Sequence, residues 1–280
     1  MNSGYTLAER LGYPKETKLL IVNCDDLGSS NSANDAIKRC FEDNVVTSST
    51  LMVPCPWATA GAKMSVDYDI GVHLTLNSEW DDYRWSPLTC SKTLTAAKGG
   101  FHKTVPALYE LADINEVENE LRAQMQQALD WGVDITHVDS HMGPLHFRED
   151  YFKLYLQLAV EFQVPMRMPN AEFQQLLGFD YRVMAQEQGV IFPDYFAFVV
   201  DGVGSRDTIT NCLNELNFGV TEVYLHPAVD TGELRNMADD YEKRVDDLKF
   251  LIEDRLIKTV AEKNDIKLIG YRQLRDLMRS

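Results

Sequence analysis

Positive charge is scarce in this chain of 280 residues: Lys plus Arg number 27 against 43 Asp plus Glu, a formal net charge of −16 with His neutral. Nucleic acid and anionic membranes both require a basic face, so neither partner is expected. A cation in the site and a neutral substrate are compatible with this balance. A polyanion is disfavoured globally, although one Arg or Lys in the site would reverse that locally. Paired cysteine is also missing. The five cysteines, Cys24, Cys40, Cys55, Cys90 and Cys212, are odd in number and form no CxxC pair. That excludes a disulfide framework and a thiolate zinc site; scattered thiols fit a reducing cytoplasm. No apolar run approaches the roughly 20 residues of a membrane span. Met1 to Lys18 lacks a basic region followed by an apolar stretch, so no secretory signal is expected. No Pro- or Gly-rich linker divides the chain, and no internal repeat shows a fixed period.

What is present is ordinary for a globular protein: 45% apolar and 25% charged residues, with enough length for a sizeable core. Short β-rich runs alternate with amphipathic segments. The strand candidates are Lys18–Asn23, Val45–Val53, Ile70–Leu76, Ile135–His141, Pro165–Met168, Tyr195–Val200, Val220–His226 and Ile266–Tyr271. Helices are expected over Asn31–Asp43, Glu116–Trp131, Glu149–Phe162, Asp207–Leu216 and Ala238–Lys263. In the second of these, Val117, Leu121, Met125, Ala128 and Leu129 recur at helical spacing and predict one buried face. The alternation implies a parallel sheet covered by helices. About eight strands over this length predict an α/β barrel in a single domain, 1–280. The irregular stretch from about 77 to 112 is too long for an ordinary connection and reads as a lid or an insertion.

Ionisable residues gather at the ends of these runs. Asp25–Asp26 ends the first, His73 lies near the end of the third, His137 and His141 lie in the fourth, and His226 ends the seventh. In a parallel barrel the carboxyl ends of the strands converge on the active-site face. A His and carboxylate cluster there matches what a divalent catalytic metal needs. Side chains alternate along a strand, so His137, Asp139 and His141 would share one face. Three ionisable groups on one face are hard to bury without a cation or a network. Asp25 and Asp26 can serve one site only if the chain turns there, and Gly28–Ser29 supplies a turn signal. The plainer reading of the doublet is an N-cap for the following helix; its place behind an apolar strand favours function. Pro227 stops the seventh strand and leaves His226 at the mouth. Arg167 either faces solvent at an edge or pairs with Asp25 or Asp139. Trp80, Tyr83 and Trp85 suit stacking on sugar rings and equally suit a hydrophobic lid. The Asp201–Asp207 stretch, with its lone GxG, reads as a βα turn rather than a dinucleotide site, because Asp207 would oppose a pyrophosphate.

Four motifs occur in order: Ile21-Val22-Asn23-Cys24-Asp25-Asp26-Leu27-Gly28, Gly71-Val72-His73-Leu74, His137-Val138-Asp139-Ser140-His141 and His226-Pro227-Ala228. Together they resemble the YdjC/ChbG family of carbohydrate deacetylases. The resemblance runs from about residue 18 to 271. It implies a distorted TIM-like barrel and metal-dependent removal of an N-acetyl group from a chito-oligosaccharide such as diacetylchitobiose, phosphorylated or not. It also implies the ligands Asp26, His73 and His141, with Asp25 as catalytic base and His226 as general acid or oxyanion partner. Asp139 would orient a ligand or His226, and Arg167, His137, Trp80 and Trp85 are further candidates around the metal or the substrate. The family pattern has several histidines directly after Asp-Ser; here Met142 to Leu145 intervene before His146.

The implied cofactor is one divalent ion, Mg2+ or Zn2+, with Mn2+ and Co2+ also compatible with two His and a carboxylate. The implied partner is a small oligosaccharide, and a homodimer is the default assembly. Two other classes of function stay open: another metal-assisted sugar reaction on the same barrel, isomerisation or phosphoester hydrolysis, and a non-catalytic sugar-binding module or interaction scaffold.

Overall fold

The computed structural model describes residues 4–198 and 205–280. Its centre is strand β1, Lys18–Leu27, whose residues Leu19 to Val22 are fully buried. A strand covered on both faces reads as a continuous apolar run, and Leu19-Leu20-Ile21-Val22 is one. Around it lie β2 (Ser48–Leu51), β3 (Ile70–Leu74), β4 (Val138–Ser140), β5 (Tyr195–Phe196), β6 (Gly219–Leu225) and β7 (Ile266–Leu268). The order is β4-β3-β2-β1-β6-β5, and every pairing is parallel. β7 pairs with the first three residues of β1. The sheet curls as a barrel does. Beyond β4, Val138 forms a parallel bridge with Met166, and the Met166 N–H donates to the Ile191 carbonyl at 3.2 Å.

The parallel α/β barrel predicted by the alternation is present, with local corrections. Pro165–Met168 makes a bridge rather than a full strand, because prolines at both ends remove ladder donors. The second strand is confined to Ser48–Leu51. The long helix expected over Ala238–Lys263 is two, Tyr241–Ile252 and Leu256–Lys263, separated where Arg255 takes a left-handed φ of 51°. Helix Ile114–Asp130 buries Val117, Leu121, Met125 and Ala128 as predicted, but Leu129 is 42% exposed, one position off the stripe. The end of the strand expected over Tyr195–Val200 and the Asp201–Gly204 part of the GxG turn lie outside the described residues.

The 77–112 stretch is mostly irregular, and the neighbouring helix holds it. Glu120 accepts from the Leu88 and Thr89 amides, and Glu116 accepts from the Thr93 amide. No described helix is long and apolar enough to cross a membrane.

Gly71 shows how closely β3 and β4 approach. A Cβ there would lie 2.5 Å from His137 Nδ1 and 2.6 Å from the His137 carbonyl oxygen. That oxygen already accepts from the Val72 amide, so the strand cannot retreat without losing a ladder bond. Gly71→Ala should therefore destabilise the fold by about 1–3 kcal/mol through overpacking. A denaturant midpoint equal to that of the parent would contradict this.

Candidate metal centre and catalytic cavity

Parallel pairing brings the carboxyl ends of the strands to one side, and the ionisable residues meet there. The aspartate doublet reaches the site through a backbone bend. Asp26 has a φ of 67°, in the left-handed region, and the β1–β2 register shifts between Cys24 and Leu27. A bulge of this kind lets adjacent residues point the same way. The turn thus falls on Asp26 itself, earlier than the Gly28–Ser29 signal. The helix that follows is capped by Ser30, whose hydroxyl accepts from the Ala33 amide at 3.0 Å, so neither aspartate serves as its cap.

Asp26, His73 and His141 are buried, and each turns one ligand-type atom to a common point. Asp26 Oδ1 lies 3.3 Å from His73 Nε2 and 3.3 Å from His141 Nδ1, and the two nitrogens are 3.3 Å apart. Asp26 Oδ1 makes no well-aligned hydrogen bond although it is buried. Buried carboxylate oxygens are rarely left in that state. The residues therefore fit a divalent ion.

The outward nitrogens of both imidazoles are held by carboxylates. His73 Nδ1 lies 2.5 Å from Asp139 Oδ1, and His141 Nε2 lies 2.9 Å from Glu79 Oε2. The β3–β4 register sets His73 directly opposite Asp139. Such contacts fix the tautomer and turn the other nitrogen inward. Burial opposes protonation of His73, but Asp139 and Asp26 outweigh it and push its pKa up to about 10. Burial likewise opposes protonation of His141, and Glu79 and Asp26 push its pKa up to about 9. The carboxylates call for positive charge at this point, which a divalent ion supplies in competition with protons.

Asp25 belongs to a second, adjoining network. Arg167 grips it bidentately, Nη1 to Oδ2 and Nη2 to Oδ1, each at 2.7 Å. Arg167 Nε reaches Glu222 Oε1 at 2.9 Å, and Nη1 lies 3.0 Å from Asp139 Oδ2. Asn23 donates to Asp25 Oδ1, and Thr50 donates to Asp139 Oδ2. Burial would raise the Asp25 pKa, but the guanidinium overcomes it and holds the carboxyl below the usual carboxylate range. Glu222 goes the other way: burial outweighs Arg167 and the Tyr271 hydroxyl and pushes it up to about 7. Arg167 is thus a buried hub with three carboxylate partners.

Of these residues, Asp25, Asp26, His73, Glu79, His141 and Arg167 line a cavity of about 520 Å3. His226 stands at its mouth with its side chain 32% exposed and Nε2 3.9 Å from Asp25 Oδ2. Its backbone N–H donates to Asp247 Oδ2 at 2.9 Å. His146 also reaches the cavity; burial pushes its pKa down to about 3. His137 does not join this group. It directly precedes the strand that carries Asp139 and lies deeper in the barrel, stacked on Tyr271 with ring centroids 3.7 Å apart. Trp80 and Trp85 are 3% and 2% exposed and pack as a lid on the barrel rather than offering a ring to the cavity. Trp85 packs edge-on against His141 and donates to the Asn77 carbonyl, while Trp80 underlies the Arg244 guanidinium at 5.0 Å.

Four participants escaped the sequence reading: Glu79, Arg244, Glu222 and Asn23. Arg244 donates to Asp26 Oδ2 at 2.7 Å, the counterpart for Asp26 of what Arg167 does for Asp25. It lies on the helix Tyr241–Ile252, where an Arg reads as surface. Glu79 lies in irregular chain without a pattern. Asn23 and Glu222 had a usable signal, a polar residue inside an otherwise apolar strand.

Residues 19–262 match the family model described as YdjC-like protein. A carbohydrate deacetylase of Geobacillus stearothermophilus is 31% identical over 258 residues, covering 90% of this chain and 96% of that protein. A carbohydrate deacetylase of Thermoanaerobacter pseudethanolicus is 26% identical over 265 residues, covering 91% and 98%. The crystal structure of a protein from Enterococcus faecalis V583, described as a candidate cellobiose-phosphate cleavage protein, superposes with a TM-score of 0.79 at 26% identity, covering 92% of this chain and 99% of that one. Motif order, barrel and family model agree, and the chain belongs to the YdjC-like family.

Proposed function

We propose that this protein is a metal-dependent carbohydrate deacetylase that hydrolyses the N-acetyl group of a chito-oligosaccharide such as diacetylchitobiose. The observation that carries the reading is the 3.3 Å triangle of Asp26, His73 and His141 beside an aspartate that an arginine keeps ionised. Relatives over nearly the whole chain bear the name carbohydrate deacetylase, which supports the same chemistry.

Asp26, His73 and His141 would hold a divalent ion, which would supply Lewis acidity toward the acetyl carbonyl and a water. The two His ligands favour Zn2+ over Mg2+. Asp139 and Glu79 keep the two imidazoles in the ligating tautomer. Asp25 is the general base: it accepts the proton of the attacking water at Oδ2. A carboxylate gripped by Arg167 is a weak base, but an acidified water needs only a weak one. His226 carries the proton that goes to the departing amine, and Asp247 anchors its backbone next to Asp25. Amide and water become acetate and free amine. No Ser or Cys nucleophile takes part.

The metal-loaded protein should release acetate from N,N′-diacetylchitobiose, and chelation should abolish the release; acetate release that survives chelation would refute metal dependence. Asp25→Asn should lower turnover by about 10²–10⁴-fold with metal content unchanged. Retained turnover would remove Asp25 as the base. His73→Ala should lose bound metal, read as metal-to-protein stoichiometry by elemental analysis, and full stoichiometry would exclude it as a ligand.

A further inference from the structure

We propose that Glu222 is a positioning residue for the reaction: it fixes the plane and direction of the Arg167 guanidinium, and Arg167 in turn fixes the carboxylate of Asp25, with Tyr271 holding Glu222 from the last helix. This rests on the deacetylase reading, in which Asp25 is the base. The first argument is that charge balance gives Glu222 no reason to be there. Asp25 and Asp139 already face the single positive charge of Arg167. A third buried carboxylate costs free energy unless its hydrogen bonds serve a purpose. Glu222 is fully buried, and burial pushes its pKa up to about 7 against the pull of Arg167 and Tyr271.

The second argument is what Glu222 touches. Each guanidinium nitrogen of Arg167 lies within 3.0 Å of a carboxylate oxygen. Asp25 takes the Nη1–Nη2 fork, and Asp139 lies against Nη1. Glu222 Oε1 takes the adjoining edge, 2.9 Å from Nε and 2.9 Å from Nη2. A fork held at one edge can still swing in its own plane. A second contact on the neighbouring edge stops that, because the guanidinium is rigid and flat. The Tyr271 hydroxyl donates to Glu222 Oε2 at 2.6 Å, so Glu222 is itself held. Tyr271 opens the last helix, Tyr271–Met278, and its ring is stacked on His137. A relay therefore runs from that helix through Tyr271, Glu222 and Arg167 to Asp25. Strand β6 supports it at three points. Period-two alternation puts Glu222 and Tyr224 on one face. Tyr224 lies 5.1 Å from the Arg167 guanidinium and packs edge-on to His226, which follows the strand.

The test uses the metal-loaded full chain with N,N′-diacetylchitobiose, and reads kcat per bound metal. Glu222→Leu removes both contacts to Arg167 at similar volume. Its kcat should fall about 10–10²-fold, the cost of a misplaced reacting group, with KM within about twofold and metal stoichiometry unchanged. Glu222→Gln resembles the protonated carboxyl, keeps an oxygen for Nε and should retain most of the parent's kcat. An unchanged kcat in Glu222→Leu overturns the proposal, and so does an equal loss in both variants, which would assign the effect to charge. Crystal structures give a readout apart from activity. Arg167 should lose its two-bond grip on Asp25 in Glu222→Leu and keep it in Glu222→Gln; a grip retained in Glu222→Leu overturns the proposal. If Glu222→Leu does not fold, Tyr271→Phe takes its place, because it keeps the ring on His137 and frees only Glu222. Its kcat should fall several-fold, and an unchanged kcat then overturns the proposal. Release of acetate by neither the parent nor any variant would sink the deacetylase reading, and the grip of Arg167 on Asp25 in the crystal structures then decides the proposal by itself.

Discussion

Arg167 is the interaction on which the site depends. Its guanidinium is buried among Asp25, Asp139 and Glu222, which come from β1, β4 and β6. One cation thereby binds together strands from opposite parts of the sheet. Removing one partner from such a cluster leaves buried charge uncompensated, which costs about 3–5 kcal/mol, whereas the intact cluster adds little net stability. Its value is positional. Asp25 is held by two parallel hydrogen bonds and cannot rotate toward Asp26. Asp139 keeps one oxygen on Arg167 and the other on His73, so the Asp25 network and the His73 network share a carboxylate.

Two adjacent aspartates thus acquire separate tasks. The left-handed φ of Asp26 swings its carboxyl to the side of His73 and His141, and Arg244 fixes its second oxygen. The remaining oxygen is aimed at the two imidazoles with no well-aligned hydrogen bond. A non-glycine residue in that backbone region costs free energy, of order 1 kcal/mol or more. The strain is tolerated because β1, paired on both edges and buried along its length, over-determines the bend.

The sequence made much of this legible. Alternating runs of opposite periodicity predicted the parallel barrel, because strand and helix periods are physically distinct. The ends of those runs marked where Asp25, His73, His141 and His226 would converge, because parallel strands end on one side. What resisted reading were partners whose role exists only in three dimensions. Arg244 sits on an amphipathic helix at an ordinary spacing, and its contact with Asp26 spans 218 residues. Glu79 lies in irregular chain, where no periodicity assigns a direction to a side chain. His137 illustrates the opposite error. Period-two alternation places it on the face of Asp139, but a barrel has depth as well as sides. Two residues earlier along the strand means about 7 Å further from the mouth, where His137 packs on Tyr271 instead.

One electrostatic arrangement runs through the whole site. The carboxylates near the mouth are paired with two buried arginines, Arg167 and Arg244. Both arginines at the cavity neutralise aspartates of the doublet, Arg167 holding Asp25 and Arg244 holding Asp26. A divalent ion held by Asp26, His73 and His141 would add positive charge beside these carboxylates. Phe196 and Tyr224 pack against the Arg167 guanidinium and line the same cavity. The scarcity of basic residues visible in composition alone thus reaches the chemistry of the site, because every cation there already has a carboxylate to serve.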